Sequence, residues 1–553
     1  MQYLIVWISF LFVSTTIQGV AKEPVSIAEK QFQVPVLTGK ANNPLLRIKV
    51  SVPPGQKAKL TAFKLDVTGT TDLSDIAAIR VFYFGQDSLA GTMYNIKRPV
   101  FGTAESAESQ TLIRGNQSLA AGDHYFWISV QLRPEVNLQH MLGLHCSSLT
   151  FDGADIQNHP EQDIRQRVGV AVRQHGQDGV HTSRIPGLAT TNKGTLLAIF
   201  DARYDKGGDL QGNIDIGLHR SEDGGKTWQP IQIVLDMGEW GGLPEKFNGV
   251  SDPCILVDKT SGDIYIAGTW MYGVLDQDGK WIPDLDANSK AWNHQWRDKG
   301  SQPGFDVKQS AQFLITKSTD DGKTWTKPMN ITRMGKKEAW WLWAPAPGQG
   351  ITLSDGTLVF PTQGRDEKGE AFSNISYSKD GGKTWKASDP ALAESTTECM
   401  VVERTDGSLM LNMRANSNKD RTGAGNGRAV ATTRDLGHHW QEHPTSHEAL
   451  PEPVCMASVI GIAYQQGREE KHLLFFSNPH STTKRHRMTI QISDDEGLSW
   501  NKYRPLLLDE GSSRGYSCLT GIDDETIGIL YESSQADLVF QAIKIKDLLV
   551  PIK

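Results

Sequence analysis

Cysteine is scarce in this chain: five in 553 residues, at Cys146, Cys254, Cys399, Cys455 and Cys518. An odd number, widely scattered and without metal-ligand spacing, excludes both a disulfide framework and a cysteine-ligated metal centre. Several lie in or beside apolar strand-like runs, so buried free thiols are expected. Histidines such as His181, His438, His439, His480 and His486 are too dispersed to form a ligand set. Positive charge is also short. A net charge of −7 argues against nucleic acid as a partner and against a general field for acidic substrates, so recognition of an anion must be local, through clustered arginines. After the first residues no run is long and apolar enough to span a bilayer. Gly207-Gly208 lacks the strand-to-helix setting of a phosphate loop. No metal or cofactor is implied.

What is present begins with an apolar run over residues 3–13, followed by small and polar residues and a possible cleavage site at Gly19-Val20-Ala21. Residues 1–21 read as a signal peptide, although no Lys or Arg precedes the run. The mature protein is then expected in the periplasm, at the cell surface or outside the cell, with no integral membrane segment.

From residue 22 to about 160, short alternating runs (46–50, 60–67, 79–84, 125–132) are separated by Gly, Pro, Asn and Asp. That pattern predicts an antiparallel β-sandwich. It fits a carbohydrate-binding module or a spacer packed on the next domain, and the polar segment 153–166 reads as a linker.

The densest stretch is 181–228. It holds Ser183-Arg184-Ile185-Pro186-Gly187, an apolar strand ending in Asp201-Ala202-Arg203, and the loop Asp205-Lys206-Gly207-Gly208-Asp209. A second strand then leads into Ser221-Glu222-Asp223-Gly224-Gly225-Lys226-Thr227-Trp228. The pattern S-x-D-x-G-x-[ST]-W recurs at 318–325, 378–385 and 493–500, with a degenerate copy at 433–440. Each copy suits a hairpin turn: Ser/Thr and Asp accept from nearby backbone N–H groups, Gly takes a positive φ, and Trp buries its ring beside the turn. The tryptophans stand 97, 60, 55 and 60 residues apart, a spacing suited to one propeller blade per repeat. The long first interval places an insertion at about 272–310, carrying Trp281, Trp292 and Trp296, either a wall of the pocket or packing on the outside of a blade.

These octets resemble the Asp boxes of the sialidase (neuraminidase) superfamily, and Arg184-Ile185-Pro186 resembles its Arg-Ile-Pro motif. The similarity covers about 165–553 and is nearest to secreted bacterial exo-sialidases. It implies an all-β protein: a six-bladed β-propeller over 165–553 preceded by the sandwich. It also implies site residues. Tyr516 would be the nucleophile, Glu398 its general base and Asp209 the acid/base on the leaving oxygen. Arg184, Arg414 and Arg485 would clamp the substrate carboxylate, while Arg203 and Asp252 would face the ring substituents. Asp205 competes with Asp209, Arg487 with Arg485, and Glu394 weakly with Glu398.

The chemistry is coherent. Sialic acid carries a carboxylate on its anomeric carbon, which would repel a carboxylate nucleophile; a tyrosine hydroxyl is neutral until its proton leaves. A phenol of ordinary pKa needs a neighbouring base to become nucleophilic. Three arginines meet the substrate carboxylate with charge-assisted bonds. The expected activity is exo-α-sialidase hydrolysis of terminal sialic acid from glycoproteins, oligosaccharides or gangliosides, with retention. A trans-sialidase would share every one of these residues. A non-catalytic sialic-acid-binding propeller would keep the arginines without needing Tyr516, Glu398 and Asp209 together.

Overall fold

The computed structural model describes residues 23–88, 96–160, 163–209, 212–241, 244–272, 301–307 and 309–552. The signal peptide expected at 1–21 and the insertion tryptophans Trp281, Trp292 and Trp296 lie outside them. Among the described residues nearly all regular structure is strand, and α-helix is confined to the single turns Thr332–Gly335 and Ile545–Leu548.

The N-terminal part is two antiparallel sheets. One contains Ser26–Gln31, Asn43–Val52, Gly122–Leu132, Ile76–Tyr83 and Val100–Ala104; the other contains Ala154–Gln157, His145–Phe151, Ala58–Asp66 and Gln110–Leu119. Alternating side chains such as Leu46, Ile48, Val50, Phe63, Leu65, Phe126 and Ile128 are buried in one cluster between them, as the period-two pattern requires. Part of the polar segment 153–166 is not a linker, because Ala154–Gln157 pairs with His145–Phe151.

Six four-stranded blades follow among the described residues. The inner strands of the first five are Thr182–Thr190, Asn248–Val257, Leu342–Pro345, Thr396–Glu403 and Ser458–Gln466. The sixth begins with Ser517–Asp523, continues through Thr526–Tyr531 and Leu538–Lys544, and takes its outer strand from Arg165–Arg173, with Val170 opposite Phe540. The start and end of the propeller are thereby stitched together, which removes the free sheet edges a linear array would leave. Val36–Thr38, from the N-terminal part, adds a parallel strand to Arg165–Arg173, and Met141–Gly143 pairs with it as well. One apolar cluster runs from Val50 and Phe126 through Val168 to Phe200 and Phe540, so the sandwich and the sixth blade share a core.

Each Asp box lies between the third and fourth strands of its blade. In the first, Gly225 N donates to Ser221 Oγ at 2.9 Å, Thr227 N and Oγ1 donate to Asp223, and Trp228 Nε1 donates to Gly225 O at 3.1 Å. The degenerate copy keeps the geometry: Gly437 N donates to Thr433 Oγ1 and His439 N to Asp435. All five cysteines are buried and unpaired.

Candidate active site

The antiparallel order within each blade brings the beginnings of the inner strands and the ends of the second strands to one face of the ring. There a cavity of about 320 Å³ is lined by Arg184, Asp209, Asp252, Glu398, Arg414, Arg485 and Tyr516. These residues come from five blades. A second cavity, of about 550 Å³, opens at the opposite mouth of the central channel, where Ala189, Val257, Ile462 and Thr520 line it together with Lys259, Asp523 and Asp524.

Three inner strands deviate from regular pairing where they carry site residues. Register shifts fall between Arg184 and Gly187, between Ser251 and Cys254, and between Thr396 and Cys399. Ile185 and Asp252 take positive φ values of 58° and 56°. Such bulges re-aim side chains out of the sheet, here turning Arg184, Asp252 and Glu398 towards the axis. Gly515 does the same for Tyr516: its φ is +89°, and a Cβ there would meet Cys455 Sγ at 3.0 Å and Arg485 Cβ at 3.1 Å.

Tyr516 Oη donates to Glu398 Oε1. Arg414 Nη1 reaches Glu398 Oε2 at 2.7 Å and Tyr516 Oη at 3.4 Å. The Arg184 and Arg485 guanidiniums lie 5.3 and 5.6 Å from the centre of the Tyr516 ring. Burial, reinforced by the Glu398 charge, pushes the Tyr516 phenol well above its ordinary range. Burial alone would raise Glu398 too, but Arg414, the phenol bond and Arg485 outweigh it and hold its pKa down. The phenol therefore keeps its proton while its partner is ionised and ready to receive it.

Asp209 stands at the cavity mouth. Its Oδ1 accepts from Arg184 Nη1 at 2.9 Å and from Arg203 Nη1 at 2.6 Å. Partial burial opposes its charge, but these two arginines prevail and lower its pKa. Arg203 itself does not line the cavity. Its Nε and Nη2 both donate to Asp201 Oδ2, at 3.1 and 2.8 Å, and Asp201 also accepts from Ser251 Oγ and Asp252 N. Asp252 lines the cavity, and burial together with the charges of Asp201, Glu398 and Asp209 drives its pKa well upward.

The competing residues fall elsewhere. Asp205 Oδ2 accepts from Asn213 N within the loop, Arg487 is exposed, and Glu394 pairs with His447. Arg485 is held over the cavity by bonds from Nη1 to Arg514 O and from Nη2 to Val454 O.

Residues 24–155 match the N-terminal domain of BNR-repeat neuraminidase, and residues 185–500 match the BNR repeat-like domain. A sialidase of Bacteroides fragilis is 42% identical over 95% of both chains. The chain belongs to the BNR-repeat sialidase family. A solved Hadza microbial sialidase is 36% identical and superposes with a TM-score of 0.82, covering 94% of this chain and 99% of the other. An intramolecular trans-sialidase from Ruminococcus gnavus, 20% identical with a TM-score of 0.52 over 68% of this chain, shares the fold.

This sialidase also uses groups that sequence reasoning did not single out. Glu532, 2% exposed, accepts from Arg184 Nε and Ile185 N through Oε1 and from Tyr516 N through Oε2. The fully buried pair Arg428–Glu452 holds the strand end that carries Arg414, because Glu452 Oε1 accepts from Ala415 N at 2.7 Å. Gln363, Arg365 and Asn416 complete the cavity wall. A positional rule could have found two of them: Arg365 and Glu532, like Arg203 and Arg414, stand at or next to the end of a blade's second strand.

Proposed function

We propose that this exo-α-sialidase releases terminal sialic acid from sialylated glycans with net retention, through a covalent link to Tyr516. Tyr516 Oη attacks the anomeric carbon as its proton passes to Glu398, while the bond to the leaving oxygen breaks and Asp209 protonates that oxygen. Water then gives a proton to Asp209 and attacks the same carbon; the tyrosyl bond breaks and Glu398 returns its proton to the phenol. Arg184, Arg414 and Arg485 hold the substrate carboxylate and stabilise the ring as it approaches an oxocarbenium-like state.

The observation that carries this mechanism is the phenol–carboxylate pair of Tyr516 and Glu398 in a cavity that also holds three arginines and Asp209. A binding propeller would have no use for that pair. Asp209 accepts from Arg184 Nη1. A substrate carboxylate arriving at Arg184 competes for the same donor, loosens Asp209 and favours its protonated form, so the acid is armed by the substrate itself.

The test is incubation with a fluorogenic sialoside, with and without a dehydrated sialic-acid analogue. Proton NMR should show α-sialic acid as the first product, and a 3-fluorosialosyl fluoride should leave a mass adduct on the Tyr516 peptide. A β-configured first product would overturn the mechanism. Export through residues 1–21 belongs to the same proposal and is tested by N-terminal sequencing of protein recovered outside the cytoplasm.

A further inference from the structure

A cavity of about 400 Å³ abuts the catalytic one and shares Arg184 with it. Its walls include His175, His181, Gly207, Ser513 and Arg514. Gly207 belongs to the loop that carries Asp209 and stands two residues before the proposed acid. Arg514 spans the gap from the last blade: a Cβ on Gly207 would stand 3.5 Å from Arg514 Nη2 and 3.2 Å from Thr182 Oγ1.

The charges in this 400 Å³ cavity are unevenly committed. Its carboxylates are Glu532 and Asp537. Glu532 is engaged by Arg184 and by two backbone N–H groups, and Asp537 accepts from Ser183 N at 2.9 Å and faces His175 at 4.0 Å. The Arg514 side chain is exposed and makes no ion pair among the described residues. His175 and His181 pack edge to face beside it, 4.6 Å between ring centres. A guanidinium set among hydroxyls and imidazoles, with the nearby carboxylates otherwise occupied, suits a planar or tetrahedral oxyanion. The volume suffices for one sugar with a substituent.

We infer that this cavity is the subsite for the leaving sugar, and that Arg514 selects leaving groups bearing an oxyanion, either the carboxylate of a second sialic acid or a sulfate ester. The inference rests on the proposed role of Asp209 in the hydrolytic reaction.

The test compares wild type with Arg514→Ala and Arg514→Lys on four substrates: an aryl sialoside with no second sugar, 3′-sialyllactose, an α2,8-disialyl oligosaccharide, and sialyllactose sulfated on its galactose. In Arg514→Ala, kcat/KM should fall about tenfold or more on at least one of the two anionic substrates. The aryl sialoside should stay within about twofold, and Arg514→Lys should recover part of the loss. Which anionic substrate suffers more identifies the source of the oxyanion. Equal losses on neutral and anionic substrates, or no loss on any, would overturn the subsite. Wild-type inactivity towards the aryl sialoside would instead overturn the reaction on which it rests.

Discussion

Glu532 binds Arg184 from behind, with Arg184 Nε donating to its Oε1 at 3.0 Å while both side chains are almost fully buried. The other oxygen of Glu532 accepts from Tyr516 N at 2.9 Å. One carboxylate thus sets the distance between an arginine of the first blade and the proposed nucleophile before the sixth, across the seam where the ring closes. The Arg184 guanidinium is buried against its own charge, yet Glu532 and Asp209 beside it keep it firmly protonated.

Removing that carboxylate should be costly twice over. Glu532→Leu leaves Arg184 buried with one partner fewer, an expected destabilisation of about 3–5 kcal/mol, read as a lower unfolding midpoint. Glu532→Gln keeps the acceptor and should fold better, while still raising KM because Arg184 is less rigidly aimed. Unchanged kinetics in both variants would show that Arg184 is positioned by other means.

Tyr516→Phe deletes only the hydroxyl. Turnover should fall by roughly 10³-fold or more, whereas binding of a dehydrated sialic-acid analogue, measured by calorimetry, should stay within about tenfold because the arginines are untouched. Near-normal turnover would remove Tyr516 from the chemistry.

Asp209→Asn separates acid catalysis from binding. Substrates with poor leaving groups, such as sialyllactose, should lose roughly 10²–10⁴-fold in kcat/KM, and an activated aryl sialoside should lose far less. Parallel losses on both would point to a different acid.

Asp252 gives a prediction with a definite sign. Its folded pKa is raised well above the usual 3.8 by burial and by neighbouring carboxylates. Between the unfolded and the folded values the native state holds the extra proton, so stability falls as pH rises through that window. Asp252→Asn removes this loss. Its unfolding temperature should exceed that of wild type at neutral pH, and the gap should narrow as the pH falls towards 4. A gap independent of pH would show that Asp252 is already ionised in the native protein.

The Asp boxes should matter for stability and not for the reaction. Asp495 accepts from Ser493 Oγ, Ser499 N and Ser499 Oγ at 2.6 to 2.9 Å, beside the buried ring of Trp500. Asp495→Ala should cost about 1–3 kcal/mol of unfolding free energy and leave kcat unchanged, with denaturant titration and steady-state kinetics as the two readouts.

Much of this molecule is legible along the chain. The boxes announce the repeat because their hydrogen bonds close within eight consecutive residues, and alternating runs such as Leu46-Arg47-Ile48-Lys49-Val50 announce strands because side chains point to opposite faces every second residue. The site was partly legible as well: Arg184, Asp209, Arg414 and Tyr516 could be picked out by resemblance to a family motif. Glu532 and Arg428–Glu452 were not picked out, because a lone charged residue beside a strand or in a loop reads as an ordinary surface charge.

The sequence by itself determined the β character, the repeat and the residue types able to hold an anionic sugar, since each depends on contacts spanning a few residues. Only the tertiary structure decided that Val36–Thr38 and Arg165–Arg173 join the sheet of the sixth blade, that bulges at Arg184, Asp252 and Glu398 turn these side chains to the axis, and that Arg203 reaches the site through Asp209 and Asp201. Those outcomes depend on closing a ring whose first and last strands are separated by most of the chain, and local pattern carries no information about partners so far apart.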